Sequence, residues 1–283
     1  MTLSTIKAIL FDLDGTLLPL DNDLFTKVYL KELSLHGIAW GFEPKALIDA
    51  IWQSTGAMIG NDGSKPNGQA FWDHFKTMIT TMPPEEIDAR IPLFDAFYLD
   101  PNGFHKARVT SGENPLASDV IAAARKQAGK VILATNPIFP PTAIESRLRW
   151  IGLTLDLFDD VTTYDNCHYS KPNPKYFAEI LEKHGLQPEE CIMVGNNVSE
   201  DVIPATSLGI RTILVTDCLI NHKNLPLDGY ETCTFAELKD KIEALNRIET
   251  GDPYGNYFMN RSVSDIMEEF GDHRDEWRTL DKK

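Results

Sequence analysis

Cysteine is scarce in this sequence of 283 residues, with four copies that lie far apart. None of them forms a CxxC pair, so the pattern excludes a disulfide framework and a paired-cysteine zinc site. No apolar run is long enough to span a bilayer. The first residues also lack the basic and apolar pattern of a secretory signal. We therefore predict a cytoplasmic protein.

Positive charge is also in short supply. Lys and Arg total 27 against 42 Asp and Glu, which gives a formal net charge of -15. Nucleic acid and anionic membrane are therefore not expected as partners. The length allows one large domain, or a core domain that carries a smaller one. The sequence says nothing about the oligomeric state.

Short runs rich in β-branched residues recur along the chain and predict strands buried on both faces. They occupy residues 6–11, 130–135, 191–196 and 211–216. Helical patterns that end at a glycine, where a C-cap is expected, separate them. Those helices are predicted at 115–128, 142–151, 174–184 and 201–208. A β-α-β-α series of this kind predicts a doubly wound parallel sheet.

Residues 19–112 do not follow the alternation of strands and helices, because their apolar spacing is helical throughout and no buried strand is evident. We predict an all-helical domain inserted after the first strand and its turn. The core domain is then formed by residues 1–18 and 113–250. Residues 251–283 are acidic but contain several aromatic side chains, which predicts a C-terminal extension that docks on the body.

The first predicted strand ends in two acids, Asp12 and Asp14, followed by Gly15 and Thr16. Ligands of open parallel sheets bind beyond the carboxyl ends of the strands. Side chains two residues apart in an extended segment point to the same side, so both carboxylates are predicted to face one ligand. On this segment alone, an Asp-Gly turn with solvated acids is the alternative.

Polar residues follow the later strands as well. Thr135 and Asn136 end the second predicted strand with a hydroxyl and an amide that are able to donate to a phosphoryl oxygen. Lys171 lies in a segment that Pro172 is expected to hold extended, before a helix predicted to be capped by Asn173. Each of these elements is ordinary loop chemistry when taken alone.

The fourth polar segment follows Gly195, where a predicted strand ends. It presents Asn196, Asn197, Glu200 and Asp201 before a predicted helix. The alternative to a functional role for Asp201 is that its side chain only caps the predicted helix. The polar segments that follow the predicted strands are therefore expected to meet at the same edge of the sheet.

Taken in this order, the four segments resemble the signature of the haloacid dehalogenase superfamily of phosphohydrolases. That signature is DxDGT, then a Thr or Ser after the second core strand, then a Lys, then an acidic GDxxxxD-type segment. The resemblance covers most of residues 1–18 and 113–245. It also accounts for the inserted helices, because many members carry a helical cap at this point of the chain, known as the C1 position.

The resemblance implies a role for each matching residue. Asp12 would be the nucleophile that attacks phosphorus and forms an aspartyl-phosphate. Asp14 would be the acid that protonates the leaving oxygen and then the base that activates water. Thr135 and Asn136 would bind the phosphoryl oxygens, and Lys171 would offset the negative charge.

The resemblance also implies a Mg²⁺ cofactor. Its ligands would be Asp12, the main-chain carbonyl of Asp14, and the segment that contains Asn196 and Asp201. The family pattern has an aspartate directly after the glycine, where this sequence has Asn196. An amide oxygen brings no charge, so we expect weaker magnesium binding or a larger contribution from Asp201.

The expected function is magnesium-dependent hydrolysis of a small phosphorylated metabolite through an aspartyl-phosphate. Asp14 favours phosphoryl transfer over dehalogenation, because the dehalogenating branch of the family lacks an acid at that position. A phosphomutase, and a catalytically weak binding or regulatory protein, are the alternatives. The polar loop at 60–68 is predicted to supply part of the substrate contact through Asn61, Asp62, Ser64 and Lys65.

Overall fold

The computed structural model describes residues 5–245, and a sheet of six parallel strands lies at its centre. The strands are β1 Ala8–Phe11, β2 Lys130–Leu133, β3 Asp160–Val161, β4 Cys191–Gly195, β5 Arg211–Val215 and β6 Glu231–Cys233. Their order across the sheet is β3-β2-β1-β4-β5-β6. Residues 5–225 and 230–245 form one compact unit, and residues 226–229 fall outside it. The extension predicted at 251–283 lies outside the described residues.

The predicted doubly wound parallel sheet is confirmed, and all four predicted strands are present within it. Sequence reasoning missed β3 and β6, the strands at the two edges. They contain two and three residues, and only one of these five residues, Cys233, is buried. Such short segments carry no run of apolar residues that could be recognised.

The core helices are α6 Ala117–Gln127, α7 Pro141–Trp150, α8 Pro174–His184, α9 Ile203–Thr206 and α10 Phe235–Ala244. Asn173 caps α8 as predicted, because its side chain accepts the N–H of Lys175. The helix predicted at 201–208 is different in form. It begins as a π-helical turn, Val198–Val202, and becomes α-helical only at Ile203.

The inserted segment is helical, as predicted. Its helices are α1 Asn22–Ala39, α2 Pro44–Ile59, α3 Asn67–Met78, α4 Pro84–Asp88 and α5 Ile91–Leu99, followed by a 3₁₀ helix, Phe104–Thr110. The helical pattern at 84–99 forms two helices, because the chain breaks between α4 and α5. Pro92 cannot donate to the carbonyl of Asp88 and its ring would clash there, so one continuous helix is excluded. Within residues 5–245, no helix is long and apolar enough to cross a membrane.

Alternate side chains of β1 enter different apolar clusters on the two faces of the sheet. Ala8 and Leu10 pack with residues of α8. Ile9 and Phe11 belong to a larger cluster that includes α6, α10 and the buried faces of the inserted helices. The insertion therefore shares its apolar core with one face of the sheet.

Phe104 belongs to this shared core and is fully buried. Its ring contacts those of Phe25, Tyr98 and Trp150. We expect Phe104→Ala to lower the free energy of unfolding by about 3–5 kcal/mol, because a large cavity would remain. Denaturant unfolding measures this. Val109→Ala in the same 3₁₀ helix is the control, since Val109 is 77% exposed and its loss should change stability by less than about 0.5 kcal/mol. Equal effects of the two substitutions would contradict the shared core.

Candidate functional site

The carboxyl ends of β1, β2 and β4 are level with one another. Phe11 is in register with Leu133 on one side and with Val194 on the other. The N–H of Asp12 then donates to the carbonyl of Val194 at 2.9 Å, so β4 holds the backbone of the first acid. The three predicted polar segments that follow these strands therefore begin at the same edge of the sheet.

Lys171 joins two carboxylates at this edge. Its Nζ donates to Asp12 Oδ1 at 2.9 Å and to Asp201 Oδ1 at 2.6 Å. The side chains of Lys171 and Asp201 are 1% and 2% exposed. Burial acts to lower the pKa of Lys171, but the charges of Asp12 and Asp201 outweigh it and hold the pKa above its usual value. The lysine is therefore a permanent buried cation against the predicted nucleophile.

The second oxygen of Asp201 also has partners. Asp201 Oδ2 accepts the backbone N–H groups of Asn196 at 3.0 Å and Asn197 at 2.9 Å. A Cβ on Gly195 would lie 2.3 Å from the carboxyl group of Asp201, so only glycine fits there. Burial raises the pKa of Asp201, against the attraction of Lys171. This carboxylate thus orders the loop after β4.

Asn196 and Asp12 converge on one hydroxyl. Thr16 Oγ lies 3.2 Å from Asp12 Oδ2 and 3.1 Å from Asn196 Oδ1. The amide of Asn196 is held in this direction because its Nδ2 donates to the carbonyl of Cys218 at 2.7 Å. Gly15 lies against it with φ +86°, and a Cβ there would come within 2.1 Å of Asn196 Nδ2. The DGT segment therefore needs its glycine both for backbone conformation and for space.

Asn136 connects the segments after β2 and β4 with that of Lys171. Its Nδ2 lies 3.2 Å from Glu200 Oε2, and its Oδ1 accepts the N–H of Lys171 at 3.2 Å. Burial raises the pKa of Glu200 to about 7. The carbonyl of Thr135 accepts the hydroxyl of Tyr176 at 2.9 Å. The side chain of Asn136 thus holds the backbone of Lys171 and the side chain of Glu200 together, while the binding of phosphate by Asn136 and Lys171 stays a prediction.

Asp14 forms an ion pair that sequence reasoning missed. Its Oδ2 accepts a hydrogen bond from Nη1 of Arg147, which α7 supplies and which is fully buried. The guanidinium carbon lies 4.5 Å from the ring centroid of Phe139. Burial raises the pKa of Asp14 above its usual value, although the charge of Arg147 opposes this. One sequence signal existed: Arg147 falls on the apolar face of α7, next to Leu148 and three residues after Ile144.

Two tyrosines from the insertion lie near this ion pair. The hydroxyls of Tyr29 in α1 and Tyr98 in α5 are 2.9 Å apart. Burial raises the pKa of Tyr29 to about 12, and the charge of Arg147 acts in the opposite direction on both phenols. Ser146 of α7 donates to the carbonyl of Tyr98 at 2.5 Å. The insertion therefore meets the sheet domain beside Asp14.

Asn67 at the start of α3 ties the insertion to two site loops. Its Nδ2 lies 3.3 Å from the carbonyl of Pro137, 3.2 Å from that of Tyr169 and 3.1 Å from Ser170 Oγ. These atoms flank the segments that carry Asn136 and Lys171. The side chain is fully buried, which makes it a fixed link between the insertion and both loops.

The loop at 60–68 faces the segment before Lys171. Asn61 Nδ2 donates to the carbonyl of His168 at 2.9 Å, and Lys65 pairs with Asp73 at 2.9 Å. Two cavities, of about 410 and 550 Å³, lie on either side of this loop. Neither cavity is lined by a proposed catalytic, phosphate-binding or metal-binding residue, namely Asp12, Asp14, Thr135, Asn136, Lys171, Asn196 and Asp201. The proposed contact of this loop with substrate stays a prediction.

Relatives of known name match most of the chain at low identity. The phosphoglycolate phosphatase of Vibrio vulnificus is 28% identical over 221 residues, which are 76% of this chain and 86% of that protein. Pyrophosphatase PpaX of Bacillus velezensis is 27% identical, with coverage of 75% and 84%. The glyceraldehyde 3-phosphate phosphatase of Methanothermobacter thermautotrophicus is 45% identical, but this match covers only 20% of this chain and 26% of that protein.

Solved structures share the fold. The 2-haloacid dehalogenase of Pseudomonas syringae superposes with a TM-score of 0.55 at 19% identity, covering 84% of this chain and 98% of that one. CbbY of Rhodobacter sphaeroides, solved with phosphate, gives a TM-score of 0.50 at 20% identity, with coverage of 82% and 96%. The sequence profile of the haloacid dehalogenase-like hydrolases matches residues 6–209. The structure has the parallel sheet expected for this family, and the motif segments lie together at one edge of it. This chain therefore belongs to the haloacid dehalogenase-like hydrolase family.

Proposed function

We propose that this hydrolase is a magnesium-dependent phosphatase that acts on a small phosphorylated metabolite in the cytoplasm. The observation that carries the proposal is the ion pair of Asp12 with the buried Lys171 at the carboxyl end of the central strand. The buried cation offsets the negative charge of a dianionic phosphoryl group as it approaches, which suits the neighbouring carboxylate of Asp12 to attack phosphorus.

In the proposed reaction, a carboxylate oxygen of Asp12 attacks phosphorus and the ester bond to the leaving oxygen breaks. Asp14 donates its proton to that oxygen and later takes one from the water that hydrolyses the aspartyl-phosphate. Thr135 and Asn136 hold the phosphoryl oxygens, while Lys171 offsets their charge. Burial supports the first role of Asp14, because it favours the protonated form.

The oxygen atoms beside Thr16 are of the chemical type that magnesium prefers as ligands. Asp12 Oδ2 and Asn196 Oδ1 both approach one hydroxyl, and the main-chain carbonyl of Asp14 is the third proposed ligand. When bound, the ion would offset the charge of the transferring phosphoryl group. Asp201 accepts three hydrogen bonds, one from Lys171 and two from the backbone after Gly195, so we propose that this residue positions Lys171 and the Asn196 backbone instead of binding the metal directly. Among residues 5–245, no group of three His, Cys, Asp or Glu side chains forms a metal site.

The helices of residues 19–112 are proposed to act as a cap domain that excludes water and contacts the part of the substrate beyond phosphorus. The link through Asn67 and the tyrosines beside Asp14 support this role. The names of the relatives suggest which substrates to test first, namely phosphoglycolate, pyrophosphate and glyceraldehyde 3-phosphate.

Release of inorganic phosphate from these three compounds and from an aryl phosphate tests the proposal, with Mg²⁺ and then with a chelator. We expect at least one compound to be hydrolysed, and the chelator to stop its turnover. Transfer of phosphate to a second hydroxyl without release of inorganic phosphate would indicate a phosphomutase. Binding of these compounds without turnover, in the folded protein, would indicate the binding protein and contradict a phosphatase.

Replacement of Asn196 tests the proposed metal position. We expect Asn196→Asp to tighten Mg²⁺ binding roughly tenfold, because a carboxylate replaces a neutral ligand. It should also lower stability by about 1–2 kcal/mol, because the hydrogen bond to the carbonyl of Cys218 is lost. Calorimetric titration with Mg²⁺ and denaturant unfolding measure the two effects.

Asn197→Asp is the matched control, since it adds the same charge one residue away. Asn197 Oδ1 caps the N–H groups of Ser199 and Glu200, so its side chain is not directed at Thr16. Little change in Mg²⁺ affinity is expected from this variant. Tighter binding in Asn197→Asp than in Asn196→Asp would place the ion elsewhere.

A further inference from the structure

Arg147 and Asp14 form an incomplete ion pair. Carboxylates commonly accept two parallel hydrogen bonds from a guanidinium. Here only Nη1 and Oδ2 are joined, while Arg147 Nη2 and Asp14 Oδ1 are buried without a hydrogen-bond partner. Buried polar atoms of this kind are rare in native proteins and require an explanation. The free Nη2 is a donor on a fully buried cation beside a proposed catalytic group.

The position of Asp14 decides which part of a substrate would meet this donor. An acid that protonates the leaving oxygen must lie next to that oxygen. The guanidinium bonded to the acid therefore lies on the side of the leaving group, whereas Lys171 lies on the side of the nucleophile. A substituent one or two bonds beyond the leaving oxygen would come within reach of Arg147.

The surroundings of Arg147 favour an anionic substituent. Its guanidinium packs on Phe139 and lies near the phenols of Tyr29 and Tyr98, which are neutral hydrogen-bonding groups. In such an apolar environment a fixed guanidinium attracts a carboxylate or phosphate far more strongly than in water. A neutral hydroxyl accepts a weaker hydrogen bond from Nη2 than a charged group does, and an apolar substituent leaves this donor unsatisfied.

We propose, on the basis of the proposed phosphatase function, that Arg147 is a specificity residue that selects substrates with a second anionic group beside the leaving oxygen. The group is a carboxylate, as in a phosphorylated 2-hydroxy acid, or a phosphate, as in a diphosphate. It accepts the Nη2 donor and shares the guanidinium with Asp14. Substrates without this charge are hydrolysed less efficiently.

Matched substrates measure the selection directly. Phosphoglycolate and 2-hydroxyethyl phosphate have leaving groups of similar size, with and without a carboxylate, and pyrophosphate supplies a phosphate in its place. In the unmodified protein we expect kcat/KM to be at least about tenfold higher for one of the two anionic substrates than for 2-hydroxyethyl phosphate. Which anionic substrate is preferred identifies the carboxylate or the phosphate as the group that is bound.

Variants then assign the selection to Arg147. We expect Arg147→Gln to reduce the ratio of anionic to neutral kcat/KM to about one, mainly through a higher KM for the anionic substrate. Arg147→Lys should keep part of the ratio, since the charge stays but the planar fork is lost. Arg149→Gln is the control on the same helix, because Arg149 is 63% exposed and pairs with Glu145. Its ratio should equal that of the unmodified protein.

The outcomes separate the two proposals. Equal hydrolysis of the anionic and neutral substrates by the unmodified protein overturns the role of Arg147 and leaves the phosphatase intact. An unchanged ratio in Arg147→Gln does the same, since a purely structural arginine would lower turnover of all substrates alike. No hydrolysis of any of them overturns both proposals. Where Arg147→Gln does not fold, Arg147→Lys supplies the test, because it keeps a buried charge beside Asp14: a ratio equal to that of the unmodified protein overturns the role of Arg147.

Discussion

Asp12→Asn is expected to lower phosphatase turnover by at least about 10⁴-fold, because the amide cannot replace the carboxylate as the group that accepts the phosphoryl. The fold should persist. The Asn side chain keeps an oxygen for Lys171 or Thr16, and the backbone of residue 12 is held by β4. Phosphate release measures the effect, and circular dichroism checks the fold.

A direct test of the same nucleophile is detection of the phosphorylated protein. Rapid acid quenching of the unmodified protein with substrate, followed by peptide mass spectrometry, should find the phosphoryl group on Asp12. Asp49→Asn is a suitable control, because Asp49 lies in α2 and its carboxylate pairs with the exposed Lys45 of the same helix. Substantial turnover in folded Asp12→Asn protein would overturn the proposed mechanism.

Lys171→Met is expected to abolish activity and to lower the free energy of unfolding by about 3–5 kcal/mol. The substitution leaves Asp12 and Asp201 buried together without the cation that both of them contact. Denaturant unfolding near neutral pH measures the loss of stability. Phosphate release measures the loss of activity in protein that remains folded.

A second substitution separates the two effects of Lys171. Asp201→Asn in the Lys171→Met background removes one of the unpaired charges, so stability should recover in part while activity stays absent. Lys175→Met is the control, because this lysine lies in α8 outside the ion-pair network. Undiminished stability in Lys171→Met would mean that the three charges are not coupled.

The parts of the site that follow strands were predictable from local sequence. Asp12, Thr135 and Asn196 come within two residues of a strand end, and a parallel sheet necessarily brings such ends to one edge. Lys171 was recognisable only through the order of the motifs. The structure brings these motif residues to one edge of the sheet, as their order in the sequence predicted. Their catalytic roles stay predictions.

The pairing of Arg147 with Asp14 was not predictable in this way. The two residues are far apart in the chain, and their contact depends on how α7 is rotated above the end of β1. An arginine in a helix is ordinarily a solvated residue, and the apolar neighbours of Arg147 indicate burial without naming a partner. The π-helical turn at Val198–Val202 was missed for a related reason, since it depends on backbone hydrogen bonds to Asn197 and not on apolar spacing.

The position of β1 in the middle of the sheet has a consequence for the order of folding. Ala8 is in register with Lys130 on one side and with Cys191 on the other, so β1 is synthesised well before both of its partner strands. At typical rates of synthesis this strand remains unpaired on both sides for roughly ten seconds or more. Helices α1 to α5 are made in this interval and depend on local contacts, so they are free to form first. A nascent chain of this protein should therefore expose the edge of β1 to chaperones until β4 has emerged.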